Sequence, residues 1–157
     1  MENSTVFKFV VMIAALLALL FVAIQLSKNP VSKEAEKEEL PKTAEIQQVE
    51  EGTLPNKFPA DLPMEAGAKV TQNFNATETD GRYNATRQFE SKATLTANLT
   101  LYTNYLKNNG WEILTTLDQP TLKMVLGRKE KQQLQASFAV DPTTNNNVVT
   151  LSLTEFK

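Results

Sequence analysis

The chain has 157 residues, no cysteine, no histidine and a formal net charge of −2. The absence of cysteine excludes disulfides, thiolate nucleophiles and zinc–thiolate sites. The absence of histidine removes the commonest general base near neutral pH and the commonest transition-metal ligand. A net charge this close to zero supplies no basic field for nucleic acid, and we expect no nucleic-acid partner.

The first predicted element is the uncharged stretch Phe9–Leu26, which lies between Lys8 and Lys28. As a helix its 18 residues would span about 27 Å, close to the thickness of a bilayer's hydrocarbon core. It also lacks the polar stripe of a core helix. We therefore predict an uncleaved, single-pass transmembrane signal-anchor that binds the lipid bilayer. A cleaved signal peptide is the alternative, although the stretch ends without an A-x-A site.

The residues around the anchor give two opposing indications of its orientation in the membrane. More lysines follow the anchor than precede it, which by the positive-inside rule would keep the following domain in the cytoplasm. However, those lysines alternate with glutamates, and the head, residues 1–8, is too short to be a translocated domain. We predict a protein of the cytoplasmic (inner) membrane whose C-terminal domain is extracytoplasmic, in the cell envelope.

Residues 27–63 are predicted to form a linker that is first charged and then proline-bearing. The linker contains eight acids and five lysines, which is typical of a hydrated spacer. Within it, the stretch 43–52 begins with Thr43, a suitable N-cap, and ends with Gly52, a suitable C′ residue. This stretch therefore predicts a short, solvated helix.

The end of the linker, residues 54–63, repeats the pairs Leu-Pro, Phe-Pro and Leu-Pro. Each residue before a proline is biased towards an extended backbone. The segment is either a proline-rich docking ligand or an arm that lies against its own domain. We predict the arm, with Leu54, Phe58 and Leu62 buried.

Residues 64–157 are predicted to be one domain made mostly of strands. Six stretches alternate apolar and polar residues with a period of two, as strands with one buried face do. They are 68–74, 82–90, 111–117, 121–128, 134–140 and 148–153. Between the first two, Asp80-Gly81 predicts a hairpin. The alternation assigns Val70 with Phe74, Ile113 with Leu117, and Leu122 with Met124 and Leu126 to buried faces.

The segment 91–111 fits a strand in its first half and a helix along its whole length. The helical spacing of its apolar residues continues as far as Leu106, and Gly110 suits the left-handed position after a helix. We therefore predict a helix that is capped by Ser91 or Thr94. The predicted fold class is α+β: an N-terminal transmembrane helix, then a two-layer domain of β-β-α-β-β-β-β order. Its antiparallel sheet carries one helix on one face, and its other face is wetted.

Two stretches carry a resemblance to a known group of proteins. These are "FPADLPMEAGAKVTQNF" and "YLKNNGWEI", with Tyr102, Leu106, Gly110 and Trp111 in the pattern Y-x-x-x-L-x-x-x-G-W. The layout resembles uncharacterised small bacterial envelope proteins with one N-terminal membrane anchor and a β-rich C-terminal domain. The resemblance covers roughly residues 55 to 156 and implies location and fold, but no reaction.

Few residues of the domain suggest a functional site. Arg128, Lys129 and Lys131 either contact an anionic lipid or polymer or form a charged hairpin turn. Three asparagines stand in N-x-T triplets and are N-glycosylation acceptors if the host allows and the domain is exported: Asn75, Asn84 and Asn98. The sequence has no P-loop, dinucleotide-binding or nucleophile-elbow motif. We therefore predict no catalytic residue, cofactor or metal.

These observations favour a membrane-tethered, non-enzymatic binding or assembly module of the cell envelope with an envelope protein as partner. One alternative is an envelope enzyme that uses carboxylate or Ser/Thr/Lys chemistry. Another is a pilin-like subunit, because an apolar N-terminal helix precedes a sheet domain, although the usual prepilin processing motif is missing.

Overall fold

The structure is a computed structural model that describes residues 45–157. The predicted anchor Phe9–Leu26 and the linker before residue 45 lie outside the described residues. Among residues 45–157, none of the helices combines the length and the apolar character that crossing a membrane requires. The described residues all fall in one compact unit, Leu40–Lys157.

In the described part of the chain, seven strands form one antiparallel sheet, and one helix lies between the third and fourth strands. The strands are β1 (Glu45–Gln48), β2 (Val70–Thr77), β3 (Tyr83–Ser91), β4 (Glu112–Asp118), β5 (Leu122–Lys129), β6 (Gln132–Val140) and β7 (Asn147–Glu155). The helix is α1 (Leu95–Asn108). In space the strands follow the order β1-β2-β3-β7-β6-β5-β4, so β1 and β4 are the two edges.

The predicted fold class is wrong, because the described chain is mostly β, with the order β-β-β-α-β-β-β-β. The additional strand, β1, lies inside the stretch 43–52 that we predicted to be a helix. Ile46 and Val49 are too few apolar residues to hold a packed helix. The outer edge of β2 instead offers unpaired backbone groups, and β1 pairs with them from Glu45 to Gln48.

Two elements share the covered face of the sheet. Helix α1 packs over β4, β5 and β6, with Tyr102 and Leu106 almost fully buried. The segment between β1 and β2, residues 49–69, which we call the arm, buries Phe58 and Leu62, as predicted, whereas Leu54 is only half-buried against the core. A helix about 10 Å wide cannot cover seven strands that lie about 4.8 Å apart, so the arm completes the layer over the core.

The predicted caps of α1 and the predicted turn at Gly81 are confirmed. Thr94 is the N-cap of α1, and its hydroxyl accepts a hydrogen bond from the backbone N–H of Ala97 at 3.1 Å. Gly110 follows the helix with φ of 75°, and Gly81 adopts φ of 82° in the turn between β2 and β3. Residues with a Cβ atom are disfavoured at positive φ, which explains glycine at both positions.

A β-bulge reverses the predicted faces in β2. The register shifts between Val70 and Gln72, and one extra residue turns the rest of the strand over relative to strict alternation. Phe74 therefore lies opposite Thr86 on the uncovered face, so its predicted burial in the core is wrong. The alternate residues Asn73 and Asn75 take the covered face instead, and both are buried.

A second bulge, between Ile113 and Thr115, has the same effect in β4. Ile113 packs against the core as predicted, but Leu117 lies opposite Met124 on the uncovered face, where we had not placed it.

In β5 the predicted core face is the wrong one. Val125 is fully buried, and the alternate residues Leu122, Met124 and Leu126 lie on the uncovered face. Gly127 shares the face of Val125, and a Cβ there would meet the Leu106 side chain of α1 at 3.1 Å. The close approach of the helix therefore sets which face of β5 is covered.

Candidate functional site

The centre of the uncovered face is polar, and its side chains bond to each other. Thr71 donates to the Gln88 Oε1 atom at 2.9 Å, and Gln88 donates through Nε2 to the Thr150 hydroxyl at 2.9 Å. The Thr154 hydroxyl donates to Asn84 Oδ1 at 2.8 Å. These bonds join β2, β3 and β7 and leave the central face hydrogen-bonded within itself.

The uncovered face of β4 and β5 is different, because most of its side chains are apolar, apart from Thr115 and the ion pair of Glu112 with Arg128. We call this group of four half-buried side chains the β4–β5 strip: Leu117, Leu122, Met124 and Leu126. Leu117 and Met124 are direct cross-strand partners. Next to the strip, at the bulge, Leu114 is 38% exposed. Apolar side chains beside a free strand edge are the features that protein partners bind on sheets.

The arrangement closest to a nucleophile and its base is Ser91 with Glu65. The Ser91 hydroxyl donates to Glu65 Oε2 at 2.6 Å and accepts from Ala93 N and Asn98 Nδ2, each at 3.1 Å. The hydrogen bond from Ser91 lowers the pKa of the Glu65 carboxyl, and the Lys92 backbone N–H adds to this effect. A carboxylate held ionised is a poor proton acceptor near neutral pH. The cluster therefore fastens the arm to the start of α1.

A small cavity lies between the arm, the end of α1 and the turn between β5 and β6. The Tyr105 hydroxyl donates to Asp61 Oδ1 at 2.9 Å, and Lys129 donates through Nζ to the Asn109 carbonyl at 3.0 Å. Burial and then the Asp61 carboxylate raise the pKa of Tyr105 above its usual value, so the phenol stays a hydrogen-bond donor into the alkaline range. Within residues 45–157 no three acids lie close enough together to hold a metal ion.

The structure separates the three predicted surface cations. Arg128 lies on the uncovered face and donates through a guanidinium nitrogen to Glu112 Oε2 at 2.8 Å. Lys129 bonds the Asn109 carbonyl beyond the end of α1, where a cation is favoured by the helix dipole. Lys131 is exposed in the turn between β5 and β6. The three do not converge on one ligand position.

The three predicted glycosylation acceptors also occupy different surroundings. Asn75 is buried on the covered face, and Asn98 is buried in α1. Asn84 lies half-buried on the uncovered face, where its Nδ2 atom donates to Glu78 Oε1 at 2.6 Å. The amide nitrogen that would carry a sugar is already a hydrogen-bond donor in Asn84 and Asn98. Glycosylation depends on the host and on export, and it stays a prediction.

Sequence reasoning missed the β4–β5 strip, because it had placed Leu122, Met124 and Leu126 in the core. The sequence did contain one indication that both faces of this strand are apolar: Val125 makes the run from Met124 to Leu126 continuously apolar. Such a run is typical of a strand that is buried on both faces.

Comparison with known proteins finds no matching family model, no matching curated protein and no matching solved structure. The resemblance to small bacterial envelope proteins therefore stays a prediction.

Proposed function

We propose that the chain is a membrane-tethered, non-enzymatic binding or assembly module of the cell envelope that binds a protein partner through the β4–β5 strip. The observation that carries the proposal is the composition of β5. Val125 fills the core, while Leu122, Met124 and Leu126 lie on the face that nothing in residues 45–157 covers. A strand that is apolar on both faces is usually covered on both faces, and the partner would supply the second cover.

The position of β1 supports access to the strip. The predicted anchor and the rest of the linker precede Glu45, the first residue of β1. The strip lies at the other edge of the sheet, which is six strand intervals or about 29 Å away. The chain therefore enters the sheet at the edge opposite the strip.

Photo-crosslinking in intact cells tests the proposal. A benzoylphenylalanine probe would replace Met124 or Leu117 in the full chain, and the control probe would replace Ser152 on the polar centre of the same face. We expect both strip positions to yield one and the same crosslinked protein, and the Ser152 position to yield none. Crosslinks that are equal from all three positions would contradict the strip as the binding surface.

Protease accessibility tests the predicted location in the same cells. We expect residues 64–157 to be protected until the outer layers of the envelope are opened, and to be cleaved before the inner membrane is broken. Protection that lasts until the cytoplasm is opened would place the domain on the other side of the membrane.

A further inference from the structure

The outer edge of β4 is a free strand edge beside the β4–β5 strip. Among the described strands β4 pairs with β5 alone, so the backbone groups on its other side have no strand partner. Beyond the bulge, the ladder runs without a shift from Thr115, opposite Leu126, to Asp118, opposite Lys123. In a regular strand, alternate N–H and C=O groups point out from the edge, and an extended peptide can pair with them.

We propose that the edge of β4 binds, by strand addition, an extended segment of a partner protein that carries Lys or Arg opposite Glu112 or Asp118. The same segment would place an apolar side chain beside Leu117, which would extend the β4–β5 strip by one strand. The proposal rests on the proposed function, because it names the chemistry of the partner that the strip binds.

The charges at the edge select a basic segment. The side chains of Glu112 and Asp118, near the two ends of β4, are 63% and 61% exposed. Their cationic partners, Arg128 and Lys123, belong to β5, the inner neighbour; the Lys123 side chain is 12% exposed and the Arg128 side chain 51%. The strand β4 itself contains no lysine or arginine. The outermost strand therefore presents acids, and opposite charges across a strand pair are stabilising.

The same acids disfavour a second copy of this chain as the occupant. Antiparallel pairing of two β4 strands would bring four exposed acids, Glu112 and Asp118 of each copy, to one seam to which β4 contributes no lysine or arginine, and like charges close together across a strand pair are destabilising. The other edge, β1, carries Glu45 and no basic residue, so it is not complementary to β4 either. The bulge in β4 further limits unselective edge pairing.

Peptide binding to the full chain in lipid nanodiscs tests the proposal. The probe is the synthetic peptide acetyl-Lys-Thr-Val-Thr-Val-Thr-Lys-amide, and its matched control has Glu in place of both lysines. Two further peptides carry N-methyl groups on alternate residues, one set for each edge of the peptide, so that backbone pairing is blocked without loss of charge. The readout is amide hydrogen exchange along the chain, with titration at low salt.

We expect the lysine peptide to slow exchange in β4 and to leave the centre of β7 unchanged. The glutamate peptide should bind about three- to tenfold more weakly, the range expected for exposed ion pairs. One of the two N-methylated peptides should lose binding. The double variant Glu112→Gln with Asp118→Asn should remove the difference between the lysine and glutamate peptides, whereas Glu45→Gln at the other edge should preserve it.

Three results would overturn the proposal: no slowing of exchange in β4 by the lysine peptide, equal affinity for the two charged peptides, or binding that survives both N-methylation patterns. A further result, measured in the absence of peptide, would be exchange in β4 that slows as the protein concentration rises. That result would identify a second copy as the occupant and would also overturn the proposal. If Met124 still crosslinks to a partner but the peptides do not bind, only the proposal of strand pairing at the β4 edge is refuted. If the peptides bind but Met124 gives no crosslink, the proposed function of the strip is refuted instead.

Discussion

Asn73 on β2 and Arg87 on β3 are cross-strand partners that donate to the same atom, the backbone carbonyl oxygen of Thr53 in the arm, each at 2.9 Å. Asn73 also donates to the Glu50 carbonyl at 2.7 Å, and Arg87 to the Glu51 carbonyl at 2.8 Å. The sheet thus holds the first turn of the arm through its backbone. The conformation of this turn, and not its side chains, is what the pair recognises.

Replacing Asn73 with Ala should destabilise the domain by about 1–3 kcal/mol, because the hydrogen bonds of its buried amide to the Glu50 and Thr53 carbonyl oxygens would be lost. Gln72, the preceding residue, is the control, since Gln72→Ala removes a similar amide from the same strand outside this contact. The measurement is urea unfolding of the full chain in detergent, followed by the fluorescence of Trp111, the one tryptophan. Equal midpoints for the two variants would refute the role of Asn73.

The pair should also be energetically coupled. Removing Arg87 in the Asn73→Ala background should cost less than removing it from the unmodified chain, because the two side chains hold one turn. A double-mutant cycle with Arg87→Met measures this coupling, and strictly additive costs would show that the two side chains act separately.

Phe58 in the arm should contribute as much as a core residue, although it lies outside the helix and the strands. It is 8% exposed and packs in the same cluster as the buried residues of α1 and the sheet. Phe58→Ala should therefore cost about 3–5 kcal/mol in urea unfolding. Ile46→Ala in β1, where the side chain is 60% exposed, should change stability by less than about 0.5 kcal/mol. Similar losses for both would mean that the arm is not part of the core.

Polar substitution of two adjacent residues of β5 should affect two different properties, stability for one and partner binding for the other. Val125 is fully buried, and Val125→Thr should cost about 1–3 kcal/mol because it buries a hydroxyl in an apolar site. Met124→Gln on the uncovered face should leave the unfolding midpoint nearly unchanged but weaken crosslinking from Leu117 to the partner. An unfolding midpoint lowered more by Met124→Gln than by Val125→Thr would reverse the assignment of the two faces.

Tyr102 should make the domain sensitive to alkali. Its hydroxyl donates to the Pro63 carbonyl at 2.7 Å, and burial, with a smaller effect of Glu65, raises its pKa above the usual value. The folded state therefore keeps this proton after the unfolded state has lost it, above about pH 10. The stabilising contribution is complete below that pH and is lost as the pH rises further, by about 1.4 kcal/mol per pH unit.

Tyr102→Phe removes this titration, and the variant should lose stability less steeply above pH 10 than the unmodified chain. Urea unfolding between pH 8 and 11.5 gives the two slopes, and the other two tyrosines, Tyr83 and Tyr105, are common to both proteins. Parallel slopes would show that Tyr102 keeps an ordinary pKa in the folded state.

The outcome of the sequence predictions depends on the range of the interactions involved. Thr94 and Gly110 were placed at the ends of α1 because capping needs only the residue and its nearest neighbours. Phe74 and Leu117 were placed on the wrong face because each follows a bulge, which strict alternation does not reveal. The β4–β5 strip was missed for a related reason, since both faces of β5 are apolar and alternation alone does not choose between them.

By itself, the sequence determined the helix α1 with its caps, the turn at Gly81 and the burial of Phe58 and Leu62. Each of these follows from backbone preference or from an apolar residue that must leave water. Tertiary structure alone decided that residues 45–48 form a strand and that Val125 faces the core. In both cases the choice depends on a distant partner: the free edge of β2 for the strand, and Leu106 of α1 against Gly127 for the face of β5.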